Sequence, residues 1–359
     1  MKFGLMYEIQ IPEPHYPGIV KDTYNQVMAQ VILAEEMGFE HFWTVEHHFL
    51  TEFSYCPAPE VLYGAVSQRT SKIRIGHAVA LLPPQYNHPI RVAERAAVLD
   101  ILSDGRVDLG TGRSTTLIEM GGFGIDPEDT RPMWEEALSM IPRMWLEEPF
   151  SHEGHYFKIP PRSIIPKPIQ QPHPPLWMAC SQPDSFSIAG QKGIGALCFN
   201  IGQPEELERR VQLYRDGIRH AQPVGAFINN QVAALGLIHC AETDKRAREI
   251  GGPAGMWMLN KSLELYRPWQ EQIRGRRGAG RADRPLTRRP DRRWIVLYGQ
   301  SRDLHSNPEE VRSGRSGSGV VLHAVRGNCS SAHHGFDPAV RKIRDSVLPA
   351  LVLSDMNQR

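Results

Sequence analysis

The chain has 359 residues, with 41 Lys and Arg against 40 Asp and Glu, a formal net charge of +1 and 41% hydrophobic residues. Near-neutral charge gives no electrostatic reason to expect nucleic acid or an acidic membrane as partner, and the length suffices for one large α/β domain with a substantial core. No apolar run approaches the roughly 18 residues of a membrane span, and the N-terminus carries no signal-peptide core, so a cytoplasmic protein is expected.

Short apolar runs alternate with longer amphipathic ones, the rhythm of βα units around a parallel sheet. Lys2–Tyr7 reads as the first strand. Over 22–37, Tyr24, Val27, Met28, Val31, Ile32, Ala34 and Met37 recur at helical spacing, and Gly38 supplies the stop. Residues 39–45 form the second strand and 58–70 a helix. The third strand covers 73–82, and Pro89 opens a helix to about Leu102. Residues 106–110 make the fourth strand and 130–146 a helix. The run 150–159, with Glu153-Gly154 at its centre, reads as a β-hairpin insertion, followed by a Pro-rich connector over 160–175. Strands then fall at 176–179, 196–199 and 232–238, with helices over 184–192 and 204–220 between them. Seven βα repeats without a linker favour a (β/α)8 TIM barrel, a single domain over 1–359, rather than a doubly wound sheet.

The eighth unit is harder to place. Residues 274–293 contain nine arginines among glycines and prolines, a composition unsuited to a buried strand or a packed helix. Without interleaved aromatic residues the run reads as a solvated loop rather than a nucleic-acid contact, and 274–318 is expected to be irregular or disordered. Residues 320–325 are the candidate eighth strand and 337–351 the last helix. The five cysteines, Cys56, Cys180, Cys198, Cys240 and Cys329, show no C-x-x-C spacing and are expected to stay reduced.

Several polar segments fall at C-terminal strand ends, the catalytic rim of such a barrel. The second strand stops at Glu46-His47-His48. An acid beside two imidazoles suits metal ligation, general acid/base chemistry, or ordinary strand-end polarity. Consecutive strand residues point to opposite faces and no H-E-x-x-H pattern follows, so no metal is expected. The fourth strand ends in Gly110-Thr-Gly-Arg-Ser114, too short of glycine for a dinucleotide fingerprint, yet Arg113 is a permanent cation beside small residues. After the fifth strand, Ser181, Gln182 and Ser185 precede or open a helix, which suits either a phosphate seat or plain helix capping.

Together, Glu46-His-His-Phe49, Gly76-His-Ala-Val-Ala-Leu-Leu-Pro83, His88-Pro-Ile-Arg-Val-Ala-Glu94, Asp104-Gly-Arg106 and Gly110-Thr-Gly-Arg-Ser114 resemble the bacterial luciferase-like flavin monooxygenases. The likeness is to the luciferase α-subunit branch and covers residues 1–270. It implies a (β/α)8 barrel that takes reduced FMN from a separate NAD(P)H:flavin reductase, uses O2 through a C4a-peroxyflavin, and oxygenates a small organic substrate. Aldehydes, ketones and polycyclic metabolites are all compatible. It further implies His47 as the catalytic histidine with Glu46 and His48 in support. Ala78 and Val79 match a cis-peptide pair against the flavin ring, and Arg113, Ser181, Gln182 and Ser185 fall in phosphate-binding segments. A homodimer is usual for such relatives. Gly112 stands where the luciferase α subunit has a reactive cysteine, and an active-site lid is expected after the seventh strand. An F420-dependent oxidoreductase on the same barrel and a catalytically silent flavin binder are the alternatives.

Overall fold

The computed structural model describes residues 2–199, 204–241, 243–276, 297–300 and 350–354. In chain order its first half holds Lys2–Tyr7 (β1), Ile19–Glu36 (α1), His41–Thr44 (β2), Pro59–Ser67 (α2), Arg74–His77 (β3), Ala80–Leu81 (β4), Pro89–Leu102 (α3), Val107–Gly112 (β5), Leu117–Gly122 (α4) and Thr130–Leu146 (α5). There follow Phe150–Glu153 (β6), Lys158–Arg162 (β7), Leu176–Ala179 (β8), Pro183–Gln191 (α6), Gly195–Phe199 (β9), Pro204–Ile218 (α7), Val232–Gly236 (β10), Ile238–Ala241 (β11), Asp244–Arg276 (α8), Leu297–Gln300 (β12) and Ala350–Ser354 (β13).

Seven strands, β1, β2, β3, β5, β8, β9 and β10, pair in parallel, so their C-terminal ends open on one rim. β13 lies antiparallel between β10 and β1 and closes the ring. The helices start and stop where local chemistry dictates. Pro occupies the first turn of α2, α3 and α6, where a missing N–H costs nothing. After α1 the chain turns at Gly38, whose φ of +84° suits a residue without a side chain.

The barrel interior is filled by large rings set against glycines. Trp43 on β2 and Trp177 on β8 meet edge to face at 5.4 Å. A Cβ on Gly76 would stand 2.1 Å from the Trp43 ring, and one on Gly195 2.2 Å from Trp177. Asp108, wholly buried on β5, accepts from Trp177 Nε1 at 3.1 Å and from Arg74 Nε at 2.6 Å, which offsets the cost of burying its charge.

Most predicted elements stand at their expected places, and five readings need correction. The third strand is two pieces, β3 and β4, separated by the cis Ala78–Val79 peptide. The seventh strand divides at Leu237 into β10 and β11, because β11 leaves the barrel to pair in parallel with β12. The hairpin runs on through Pro160 and Pro161 to Arg162, as an outer two-stranded sheet tolerates prolines that a central strand would not. Within the segment read as irregular, Arg274–Arg276 belong to α8, where helical continuation overrides composition, and Leu297–Gln300 form β12. Ala350 and Leu351, read as the end of the last helix, lie in β13. The run Ala350-Leu-Val-Leu353 lacks polar alternation, and its backbone satisfies the facing edges of β1 and β10. The predicted strand at 320–325 lies outside the described residues, as does Cys329. The other four cysteines are free and buried.

Gly76→Ala forces a methyl group into the Trp43 ring and should lower stability by about 1–3 kcal/mol, the usual range for overpacking. A urea unfolding midpoint that matches the parent would show that the Trp43 ring has room to move.

Candidate active site

Three adjacent strand ends, β2, β3 and β5, build the centre of the rim. Thr44 on β2 pairs with His77 on β3, which brings residues 45–48 beside Ala78 and Val79. Glu46 is buried and points at β4 rather than at His47. Its Oε2 accepts from Leu81 N at 3.0 Å, and its Oε1 from Asn87 Nδ2 at 2.7 Å and, more weakly, His48 Nε2 at 3.4 Å. His48 stacks on Tyr86 and meets Phe123 edge to face. These contacts make Glu46 and His48 the frame of the loop.

The direct partner of His47 is Glu119, on the short helix α4. Nδ1–H donates to Glu119 Oε1 at 3.0 Å, while Nε2 faces Glu8 Oε2 at 3.6 Å. Glu119 is completely buried, and it also accepts from His48 N at 2.9 Å, from Ser114 Oγ at 3.2 Å and from Thr116 Oγ1. Burial works against charge on all three groups, and the outcome differs by partner. Burial would push the His47 pKa down, but the Glu119 charge and hydrogen bond, helped by Glu8 and Glu46, lift it to about 9. Burial would push Glu119 up, but the His47 charge and the donors around it hold its carboxyl below the ordinary range. Glu8 Oε2 makes no hydrogen bond, and burial outweighs the His47 charge, raising its pKa to about 7.

Small residues open the rest of the rim. A Cβ on Gly110 would lie 2.0 Å from the His77 carbonyl oxygen, and one on Gly112 2.3 Å from Val79 Cγ2. Val79 therefore occupies the space that a cysteine at position 112 would need. Arg113 follows, donating from Nη1 to Thr130 Oγ1 at 2.9 Å with its guanidinium 5.9 Å from the centre of the Trp269 ring. The strand end next to it, through the β5–β8 pairing, carries exposed Ser181 and Gln182 ahead of α6. Ser185 closes the helix start, its Oγ accepting from Gln182 N at 3.2 Å and donating to Gln182 O at 2.5 Å. Ser185 is thus engaged as a cap: Pro183 has no N–H, and Ser185 N already donates to Gln182 O at 3.0 Å.

α8 passes over this face. Met258 contacts Gln10 after β1, Lys261 pairs with Glu52 at 3.4 Å, Tyr266 meets Phe53 edge to face, and Trp269 packs with Met120 and Ile125. Phe53 in turn stands edge-on to His47. Among the described residues no group of His, Cys, Asp and Glu is arranged to hold a metal ion, and no helix is long and apolar enough to cross a membrane.

Two site residues escape the sequence reading, Glu8 and Glu119. Glu8 follows a strand end just as Glu46 does, a signal that was available. Glu119 lies in 115–129, where no element is predicted, yet Thr116-x-x-Glu119 has the spacing of a capping box, and Thr116 Oγ1 indeed accepts from Glu119 N at 3.4 Å.

The shifts set a pH dependence for stability. His47 binds its proton more tightly in the folded chain than at its ordinary value of 6.5, so its contribution is complete below pH 6.5 and is lost as pH rises towards about 9. The urea midpoint should fall across that window, and His47→Gln should flatten the fall. An unchanged slope in the variant would assign the loss to other groups.

The profile of the family described as luciferase-like monooxygenase matches residues 1–311. The uncharacterized protein y4wF of Sinorhizobium fredii is 33% identical over 251 residues, 67% of this chain and 70% of that protein. The oxygenase component of the flavin-dependent trigonelline monooxygenase of Acinetobacter baylyi is 30% identical over 193 residues, 53% of this chain and 52% of its own length. Among solved structures, the monooxygenase RslO1 from Streptomyces bottropensis superposes with a TM-score of 0.66 at 28% identity, over 76% of this chain and 82% of that one. A family match over most of the sequence, on a barrel whose rim carries the quoted motifs, means that this chain belongs to the luciferase-like monooxygenase family.

Proposed function

We propose that the protein is the oxygenase component of a two-component flavin monooxygenase, taking reduced FMN and O2 and oxygenating a small organic substrate. The observation that carries this reading is His47, nearly buried and held as a proton donor between Glu119 and Glu8 beside the Ala78–Val79 turn. A flavin fits the residues present. Gly110 and Gly112 add no side chains of their own to the rim, where His77 and Val79 pack against them, and Glu8 Oε2 is a buried oxygen that makes no hydrogen bond. Arg113 and the start of α6 stand on neighbouring strand ends, a cation and the positive end of a helix suited to one phosphate. Reduced FMN, when bound, supplies the two electrons that reduce O2, one oxygen atom entering the substrate and the other leaving as water.

The chain's own share is positioning, water exclusion and proton control. Glu119 fixes the ring of His47 through Nδ1, which leaves Nε2 as the nitrogen that delivers or takes a proton. α8, with Tyr266 and Trp269, covers the rim and keeps water from it. A transient NAD(P)H:flavin reductase partner and a homodimer belong to the same proposal. The oxygenase component of the trigonelline enzyme supports a separate reductase by analogy.

His47→Ala should leave FMN binding nearly intact while product formation falls about 10²-fold or more, the usual worth of a positioned acid or base. Equal losses in binding and turnover would make His47 a structural residue. Arg113→Ala should weaken FMN by roughly 1.5–3 kcal/mol and riboflavin far less, because only FMN presents a phosphate dianion. Similar weakening of both flavins in equilibrium titrations would remove Arg113 from the phosphate site. Oxygen-independent turnover with tightly bound F420 would overturn the monooxygenase reading itself.

A further inference from the structure

Three carboxylates surround the two rim histidines, and they are not equivalent. Glu46 accepts from Leu81 N, Asn87 Nδ2 and His48 Nε2, and Glu119 accepts from four donors. Both are thereby fixed as acceptors. Glu8 is 5% exposed, and its Oε2 has no hydrogen-bond partner although His47 Nε2 stands only 3.6 Å away. A bare, buried carboxylate oxygen is costly as an anion and is the natural place for a proton. The groups facing the pair are Glu119 from α4, Glu46 from the β2 end, Cys56 through its carbonyl to His47 N, and Tyr266 from α8. Burial keeps the Cys56 thiol and the Tyr266 phenol protonated, so neither adds charge near neutral pH.

We infer that Glu8 and His47 form one two-proton acid–base unit, in which Glu8 restores the proton that His47 Nε2 gives up at the reaction centre. In the first step the Nε2–H bond breaks as a reacting oxygen takes the proton, leaving neutral imidazole. In the second, the Oε2–H bond of Glu8 breaks and the proton crosses to Nε2, leaving a carboxylate and a restored imidazolium. Solvent then reprotonates Glu8. The present separation of 3.6 Å needs to shorten by only about 0.5 Å to reach ordinary hydrogen-bond length, or one water can bridge it. Glu119 holds the other nitrogen at 3.0 Å throughout, so the ring keeps its orientation while Nε2 cycles.

The inference rests on the monooxygenase reading only for the identity of the reacting oxygen, and its test does not need flavin. Nitrogen-15 NMR of His47 in the whole protein should show two titration steps, near pH 7 and pH 9, as coupled sites give. In Glu8→Gln the lower step should vanish, and the upper one should move down by about one unit, a roughly tenfold weaker proton affinity, because an anion within a few ångströms is lost. Glu8→Asp, which keeps a carboxyl, should retain two steps and serves if the Gln variant does not fold. A single step in the parent, or an upper step unmoved in Glu8→Gln, overturns the pair. With reduced FMN and a substrate, Glu8→Gln should lower kcat and remove one ionisation from its pH profile while KM holds. An altered KM with an unchanged profile shape also overturns it. Two NMR steps in a protein that fails to oxygenate with reduced FMN would instead leave the pair standing and sink the proposed function.

Discussion

The ion pair between His47 and Glu119 is the interaction on which the rim is organised. Glu119 has no exposed surface, and a carboxylate in that position persists only with a full set of donors and a cation. The donors come from His48 on the β2 loop and from Ser114 and Thr116 beyond β5, so satisfying one charge ties two loops together. Removing one partner of such a pair typically costs about 3–5 kcal/mol, mostly through the charge left behind. The same arrangement engages Nδ1 of His47 and leaves its Nε2 turned towards Glu8.

Backbone strain collects at the same rim. Ile9, Phe49 and Ser114 each adopt positive φ, at +55°, +63° and +67°, and each follows directly on Glu8, His48 or Arg113. For a β-branched residue such as Ile9 this conformation is unusual, and each left-handed non-glycine residue costs on the order of 1–3 kcal/mol. The surroundings hold it: Tyr55 N donates to the Ile9 carbonyl at 3.0 Å, and Ile11 N donates to Glu52 O at 2.8 Å. These turns aim the site side chains inward instead of letting the strands run on. The glycines do the complementary work, since Gly110 and Gly112 let neighbouring backbones and Val79 approach where a side chain would collide.

α8 completes the environment. Its contacts with the loops after β1, β2 and β5 surround His47 with Phe53 and Tyr266 and set Trp269 against Arg113. A low-dielectric cover strengthens every charge interaction beneath it, which is why burial and partner charges compete so visibly in Glu8, His47 and Glu119. A helix of 33 residues containing Pro253 and Pro268 is not predicted by propensity, and it stands through the surface it covers.

The periodicities and terminators of the sequence by themselves determined the seven parallel strands, because each alternation of a short apolar run with an amphipathic one is a local signal. They also placed Glu46, His47, Arg113 and Ser181 on one rim, since strand ends of a parallel barrel share a face. Only the tertiary structure decided what each residue does there. Glu46 turned out to frame β4, because the nearest unsatisfied amide belongs to Leu81 and not to His47. Glu119, 72 positions from His47, became its partner through a helix that closes over the β2 loop. The closing strand came from Ala350–Ser354 in antiparallel sense, since the open edges of β1 and β10 can be satisfied from either direction and local pattern does not encode direction. Strand ends are written in local composition, whereas the pairing of charges across loops depends on distances that exist only once the barrel has closed.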